Sequence, residues 1–307
     1  MAATVQPATA KSGTVTPGTV TPAAKAGLVD DAKLAEYPEG LYHYNAIADG
    51  VNGFAGVGAA EIAFFHEYGY LAINHAFDGR EVQGALDGLV HLLSGANPDF
   101  TGVMYEQAAA GLDVESMLPE QRQDYVRKFM WFTPHEPRLD ALARHPRLLD
   151  VVTHIMDEPP VLFQDMALLK PPHIGREKPW HQDHAYFDLP LETLVMGAWI
   201  ALDEATTENG CMIVIPGSHR QGPVVHFKRR DWQICDTQVN NEHAVAVPLQ
   251  PGGCLLFHSL IHHGTPTNHS GLRRRAVQFH YRPQSAPITS EEERLKIFGG
   301  DVRGATC

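Results

Sequence analysis

The stretch Trp180-His181-Gln182-Asp183-His184-Ala185-Tyr186-Phe187 gathers metal-binding side chains at short spacing. In an extended strand, side chains at i and i+2 leave the same face, so His181 and Asp183 point one way together. An imidazole beside a carboxylate supplies two thirds of a 2-His-1-carboxylate facial triad. Such a triad holds Fe(II) on one face and leaves the other open for oxygen chemistry. A bare H-x-D is more often a packed histidine beside a turn-capping aspartate. What gives this one weight lies downstream, where Leu255-Leu256-Phe257-His258-Ser259-Leu260-Ile261-His262-His263-Gly264-Thr265 offers a third ligand. Adjacent strand residues face opposite ways, so at most one of His262 and His263 can join. His184 competes as well, since H-x-x-H binds metal from a helix. Tyr186-Phe187 and the flanking prolines argue against a helix there.

Arg273, Arg274 and Arg275 follow closely. Arginine presents a rigid planar fork that matches a carboxylate with two parallel hydrogen bonds. A metal site that takes a keto-acid cosubstrate needs such a fork just beyond the metal. An arginine triplet is commonly a solvated charge run, but this one leads straight into Ala276-Val277-Gln278-Phe279, which reads as a strand.

The surrounding chain must hold these groups together. Residues 1–27 are rich in Ala, Thr, Pro, Gly and Val with a near repeat, a composition that predicts a disordered low-complexity tail. Residues 28–307 read as a single domain, with folding beginning near Gly56. A helical buttress is expected over about residues 56–156. Within it Ala59 to Tyr68 has a helical apolar face, and Gly69 to Ile73 reads as a strand. Asp78 with Glu81 forms a capping-box start for a helix carrying Val82, Leu86, Leu89, Val90 and Leu93. Asn97 to Leu118 reads as a loop able to cover a site. A helix over about Pro119 to Phe132 would carry Arg127 and Lys128, and another runs from about Arg138 to Met156, interrupted at His145-Pro146.

From about residue 157 to 285 short β-rich segments alternate with Gly/Pro turns: 161–169, 194–201, 211–215, 244–248, 254–257 and 275–281. Many short strands with such turns predict a mainly β fold, a sandwich or barrel. Two sheets of a jelly roll would bring His181, Asp183 and a histidine near residue 260 to one mouth.

Composition removes several classes. A net charge of −12 disfavours nucleic acid and anionic membranes as partners. No stretch approaches about 18 consecutive apolar residues, so no membrane span is expected. Cys211, Cys235, Cys254 and Cys307 show no C-x-x-C pairing and there is no secretion signal, which predicts reduced thiols and a cytoplasmic location. No evident basic cluster marks a site for the phosphates of coenzyme A. The expected partner is a small-molecule substrate.

The segments "PWHQDHAYF", "NGCMIVIPGSHRQG" and "HHGTPTNHSGLRRRAVQFHY" resemble the phytanoyl-CoA dioxygenase family of Fe(II)/2-oxoglutarate oxygenases, over about residues 57 to 285. The resemblance implies a double-stranded β-helix, a jelly-roll and cupin-like core with flanking helices. It implies Fe(II) as cofactor with 2-oxoglutarate and O2 as cosubstrates. It places the distal ligand just before the glycine, which selects His263 beside His181 and Asp183. It places the cosubstrate arginine eleven positions later, which selects Arg274. By the same carry-over Met166, Trp199, Thr265 and Lys128 contact 2-oxoglutarate, and Tyr186, Phe187 and His219 lie near the mouth as candidate substrate contacts. Asp183 in the triad implies an ordinary oxidation rather than halogenation. The implied activity is a hydroxylase acting on an aliphatic C–H bond, with release of succinate and CO2. Desaturation, epimerisation and ring formation use the same cofactors. A cupin-like metal-binding protein without redox activity is the rival class, and so is a zinc hydrolase; neither needs the arginine fork.

Overall fold

The structure, a computed structural model, describes residues 37–300; the expected tail at residues 1–27 and Cys307 lie outside that range. The helices are α1 (Ala59–Tyr68), α2 (Gly79–Leu93), α3 (Pro119–Arg122), α4 (Pro137–Ala143), α5 (Pro146–Met156) and α6 (Glu291–Phe298). The strands are β1 (Ala46–Ile47), β2 (Val51–Asn52), β3 (Tyr70–Asn74), β4 (Val103–Tyr105), β5 (Val126–Met130), β6 (Pro160–Lys170), β7 (Lys178–His181), β8 (Met196–Ala201), β9 (Met212–Val214), β10 (His226–Lys228), β11 (Trp232–Ile234), β12 (Val245–Val247), β13 (Cys254–His258), β14 (His263–Thr265) and β15 (Arg274–Pro283).

Two sheets face each other as a jelly-roll sandwich, the fold class expected. The larger runs β2-β3-β13-β8-β15-β6-β5-β4 and the smaller β1-β12-β9-β14-β7, with β10-β11 as a separate hairpin. The period-2 alternation of the large sheet explains both of its faces. On β15, Val277, Phe279 and Tyr281 join a core with helices α2, α4 and α5, whereas Ala276 turns into the space between the sheets. On β8, Met196, Ala198 and Ile200 face the helices while Trp199 and Ala201 face the other sheet. The helices therefore cover one face, as a buttress should. Tyr281 fastens the two layers by donating its hydroxyl to the carbonyl of Ala143 at the end of α4, 2.6 Å away. The capping box at α2 forms: Asp78 accepts from the amides of Arg80 and Glu81, and Glu81 accepts from the amide of Asp78 at 2.7 Å.

Several boundaries differ from expectation. The helix expected over about Pro119 to Phe132 is one α-turn, α3, and a 3-10 turn, Gln123–Tyr125, followed by the strand β5. The reason is alternation: Phe129 packs toward the helices, while Lys128 and Met130 on either side pair with Leu168 and Met166 of β6. Pairing along β6 outweighs local helix propensity here. The expected loop before Leu118 contains β4. The buttress thus contributes β3, β4 and β5 to the large sheet, and no clean division falls at residue 156. β1 and β2 precede Gly56, and α6 follows residue 285. Phe298 of α6 packs against His184 and His226.

Candidate metal centre

β7 ends at His181, Gln182 stays extended (φ −115°, ψ 127°), and a 3-10 turn begins at Asp183. That single extended residue sends His181 and Asp183 to the same side, with His181 Nε2 3.1 Å from Asp183 Oδ1. β14 pairs antiparallel with β7 and sets His263 directly across from His181. His263 Nε2 lies 3.6 Å from the same Asp183 oxygen. One ligand atom from each of the three lies within 4.8 Å of the others, and all three residues are buried.

The hydrogen bonds behind the triad set its protonation. His181 Nδ1 lies 2.8 Å from the carbonyl of Pro179, and His263 Nδ1 3.0 Å from that of Ile261. A carbonyl only accepts, so each Nδ1 carries the hydrogen and each Nε2 turns a lone pair to the centre. Burial pulls the His263 imidazole down to about 3, which keeps it deprotonated. Asp183 Oδ2 meets the Gln278 amide nitrogen and His280 Nε2, and hydrogen bonds to a carboxylate favour its ionised form. Deprotonated nitrogen and oxygen donors are what a metal requires.

The triad opens into a cavity of about 360 Å³ between the sheets. Arg274, at the start of β15, is 2% exposed and reaches the same cavity. Its guanidinium lies 5.4 Å from the centre of the Trp199 ring and donates to the carbonyl of Leu168 at 3.0 Å. Burial lowers its pKa to about 10. Arg274 Nε, Trp199 Nε1 and Thr265 Oγ1 are buried without a hydrogen-bond partner among the described residues. A buried unpaired polar group costs about 1–3 kcal/mol, so these three call for a polar partner held in the cavity, water or ligand. Met166 and Trp199 flank Gln278 in one cross-strand row on this wall.

The neighbours of Arg274 go elsewhere. Arg273 pairs with Asp124 at 2.6 Å and Arg275 with Asp203 at 2.7 Å, beside an outer hollow remote from the triad. Lys128 lines the cavity from β5, with burial lowering its pKa to about 8. Tyr186 and Phe187 also line it. Tyr186 donates its hydroxyl to the carbonyl of Trp232 at 2.6 Å and accepts from Lys178 at 3.0 Å. His219 does not line the cavity, contrary to its expected place near the mouth. It sits on the 3-10 turn Ser218–Gln221, its Nε2 3.1 Å from the carbonyl of His66 and its ring against His258. His184 is enclosed behind the site, its ring nitrogens against the Ser259 hydroxyl and the carbonyl of Pro190. His262 lies outside the cavity too.

Some cavity residues carry no signal in the linear sequence. Arg127, Lys128, Arg176 and Lys178 come together along the cavity from separate segments, so a basic cluster exists where none was expected from the sequence. Glu106 balances Arg127 and Arg176, and Asp231 pairs with Lys178 at 2.7 Å. Gln278 and His280 both bond Asp183 Oδ2, at 3.1 Å and 2.8 Å. They lie four and six residues beyond Arg274, a period-2 signal that strand alternation would have exposed.

The family model for phytanoyl-CoA dioxygenase matches residues 65–276. A Danio rerio protein named phytanoyl-CoA dioxygenase domain-containing protein 1 is 29% identical over 170 residues, which cover 53% of this chain and 58% of that protein. This chain therefore spans little more than half the length of that relative. An ectoine dioxygenase from Sphingopyxis alaskensis is 27% identical over 235 residues, covering 70% of this chain and 72% of that one. Among solved structures, the epimerase SnoN in complex with Fe3+, alpha ketoglutarate and nogalamycin RO superposes with a TM-score of 0.60 at 20% identity, over 76% of this chain and 86% of SnoN. At that identity the likeness concerns the fold.

Proposed function

The chain belongs to the phytanoyl-CoA dioxygenase family, and from that premise we propose that it is an Fe(II)- and 2-oxoglutarate-dependent dioxygenase. Its reaction in this reading is hydroxylation of an aliphatic C–H bond of a small metabolite or natural product, with succinate and CO2 released. One observation carries the reading: a single cavity holds both the His181–Asp183–His263 triad and the buried fork of Arg274 with unpaired donors around it. A cupin-like metal-binding protein or a zinc hydrolase has a use for the triad and none for the fork.

The donor set fits Fe(II), two imidazole nitrogens and one carboxylate oxygen with the cavity side left open. When bound together, Fe(II) and 2-oxoglutarate supply the oxidising chemistry toward O2 that no side chain here can provide. His181, Asp183 and His263 would hold the metal. Arg274, with the Trp199 indole N–H and the Thr265 hydroxyl, would receive the far carboxylate of 2-oxoglutarate by charge-assisted hydrogen bonds. Met166 and the Trp199 ring would flank its carbon chain, and Lys128 is a further candidate contact. Leu168, Met130 and Phe187 give the cavity apolar walls that limit water. Tyr186 and Phe187, which also line the cavity, are candidate substrate contacts.

The test is succinate formation from 2-oxoglutarate with Fe(II), O2 and a library of small metabolites. Fe(II)-dependent turnover that is lost in His181→Ala supports the reading. A folded protein that neither takes up Fe(II) nor consumes 2-oxoglutarate would overturn it.

A further inference from the structure

Protein groups hold the Asp183 carboxylate on the side away from the two histidines. We propose that Gln278 and His280 are positioning residues that fix Asp183 with Oδ2 turned away from the centre and Oδ1 alone turned toward the two histidines. This rests on the reading above, in which the triad is a metal site.

Both residues lie on β15, two apart, so they share the face that looks across to the smaller sheet. Asp183 arrives from the end of β7 in that opposite sheet. The contact therefore bridges the sandwich at the depth of the triad. Its two sides are unequal. Asp183 Oδ2 has the Gln278 amide nitrogen at 3.1 Å and His280 Nε2 at 2.8 Å. Among the described residues, Asp183 Oδ1 has the two ligand imidazoles, at 3.1 Å and 3.6 Å.

The surroundings of His280 decide which hydrogen it offers. The ring is fully buried, and its Nδ1 has no partner among the described residues. Phe187, Phe163 and Phe257 surround it at 4.9, 6.2 and 6.3 Å between ring centres. A hydrogen on Nδ1 would be a buried donor facing phenyl rings, whereas a lone pair there leaves Nε2–H free to bond Asp183. Gln278 likewise donates from an uncharged amide. With both donors on Oδ2, the carboxylate is oriented and Oδ1 stays available to a cation. An arginine or lysine in either place would have opposed that cation. Without these donors, the carboxylate can rotate and turn either oxygen inward. Partners that orient a ligand in this way typically contribute 10–100-fold in metal affinity.

The experiment measures Co(II) affinity of the full chain by chelator competition, with circular dichroism melting as the check on folding. The variants are His280→Phe, which fills the phenyl-lined space without a donor, Gln278→Leu, and His280→Gln, whose amide nitrogen can take the place of Nε2. We expect Co(II) affinity to fall about 10–100-fold in His280→Phe and in Gln278→Leu, and to recover most of that in His280→Gln. Wild-type affinity in a folded His280→Phe overturns the proposal. So do equal losses in His280→Phe and His280→Gln, which would mean packing alone. Wild-type protein that takes up no Co(II), or takes it up equally as His181→Ala, removes the metal-site reading together with this one. Tight uptake with an indifferent His280→Phe removes only this one.

Discussion

His263 stands directly across from His181 in the antiparallel pair of β14 and β7, their ring centres 4.2 Å apart. This register singles out one histidine of the His262-His263 pair, because a slip of one residue would turn the whole strand over. His262 instead donates its backbone amide to the Ser218 hydroxyl at 2.8 Å, and its side chain stays outside the cavity. His263→Ala should abolish Fe(II)-dependent 2-oxoglutarate turnover in a protein that still folds. His262→Ala should keep most of it. Metal uptake and succinate release by the two variants check this, and the opposite ranking would reassign the ligand.

Arg274 is the buried member of its triplet, with an outward ion pair on either side at Arg273 and Arg275. Lysine keeps the charge and loses the planar fork. Arg274→Lys should raise the 2-oxoglutarate KM by roughly one to three orders of magnitude, since 1.4 kcal/mol is a factor of ten. Fe(II) uptake should survive. Arg273→Lys and Arg275→Lys should change KM far less. A 2-oxoglutarate titration of all three at saturating Fe(II) is the check, and equal small effects would remove the fork from the site.

Acid should weaken the metal-free fold. His226 is fully buried; its Nδ1 meets the Val224 carbonyl at 2.7 Å and its Nε2 accepts from the Gln182 amide at 3.0 Å. Burial, chiefly, pulls it down to about 3. Its folded value lies below the unfolded one, so the unfolded chain binds more protons between them. Stability is then full above about pH 6.5 and lost as the pH falls toward 3. From pH 6.5 to 5 this one group accounts for about 2 kcal/mol, or about 4–8 °C in melting temperature. His226→Gln should lower the melting temperature at pH 7.5 and shallow its decline toward pH 5. A variant with the wild-type slope would show that His226 does not set the acid response.

The parts of the fold that were legible in the sequence are those where one local rule acts without competition. The α2 start was legible because Asp78 and Glu81 close their capping box within four residues. β6 and β15 were legible because both are long and rich in apolar residues. β5 was not, because Arg127 to Phe132 is compatible with a helix until β6 is present to pair with it. β7 and β14 are too short, and too full of site residues, to carry a hydrophobic period. Within the site, His181 and Asp183 stand two residues apart and announce themselves, and the resemblance supplied His263 and Arg274. Glu106, Asp231 and Lys178 reach the cavity or its border through pairings that no spacing encodes. His219 illustrates the converse: it lies in a motif-like segment, yet its ring serves the contact with α1.

Gly197 on β8 is paired with Phe257 on one side and His280 on the other. All three residues face the same way, and the Phe257 ring lies across the space a side chain at 197 would fill. From there the ring touches His263, 4.9 Å between centres, and approaches His280 at 6.3 Å. Gly197→Ala would put its Cβ inside the present position of that ring. The ring is fully buried and must shift against one of the two histidines. Overpacking of this kind costs about 1–3 kcal/mol. Gly197→Ala should therefore lower the melting temperature and weaken metal uptake together, although it changes no ligand. Adding Phe257→Leu should restore part of the stability by making room for the methyl group. Melting curves and Co(II) titrations of the single and double variants check this. An unchanged melting temperature in Gly197→Ala would show that Phe257 yields freely and does not brace the two histidines.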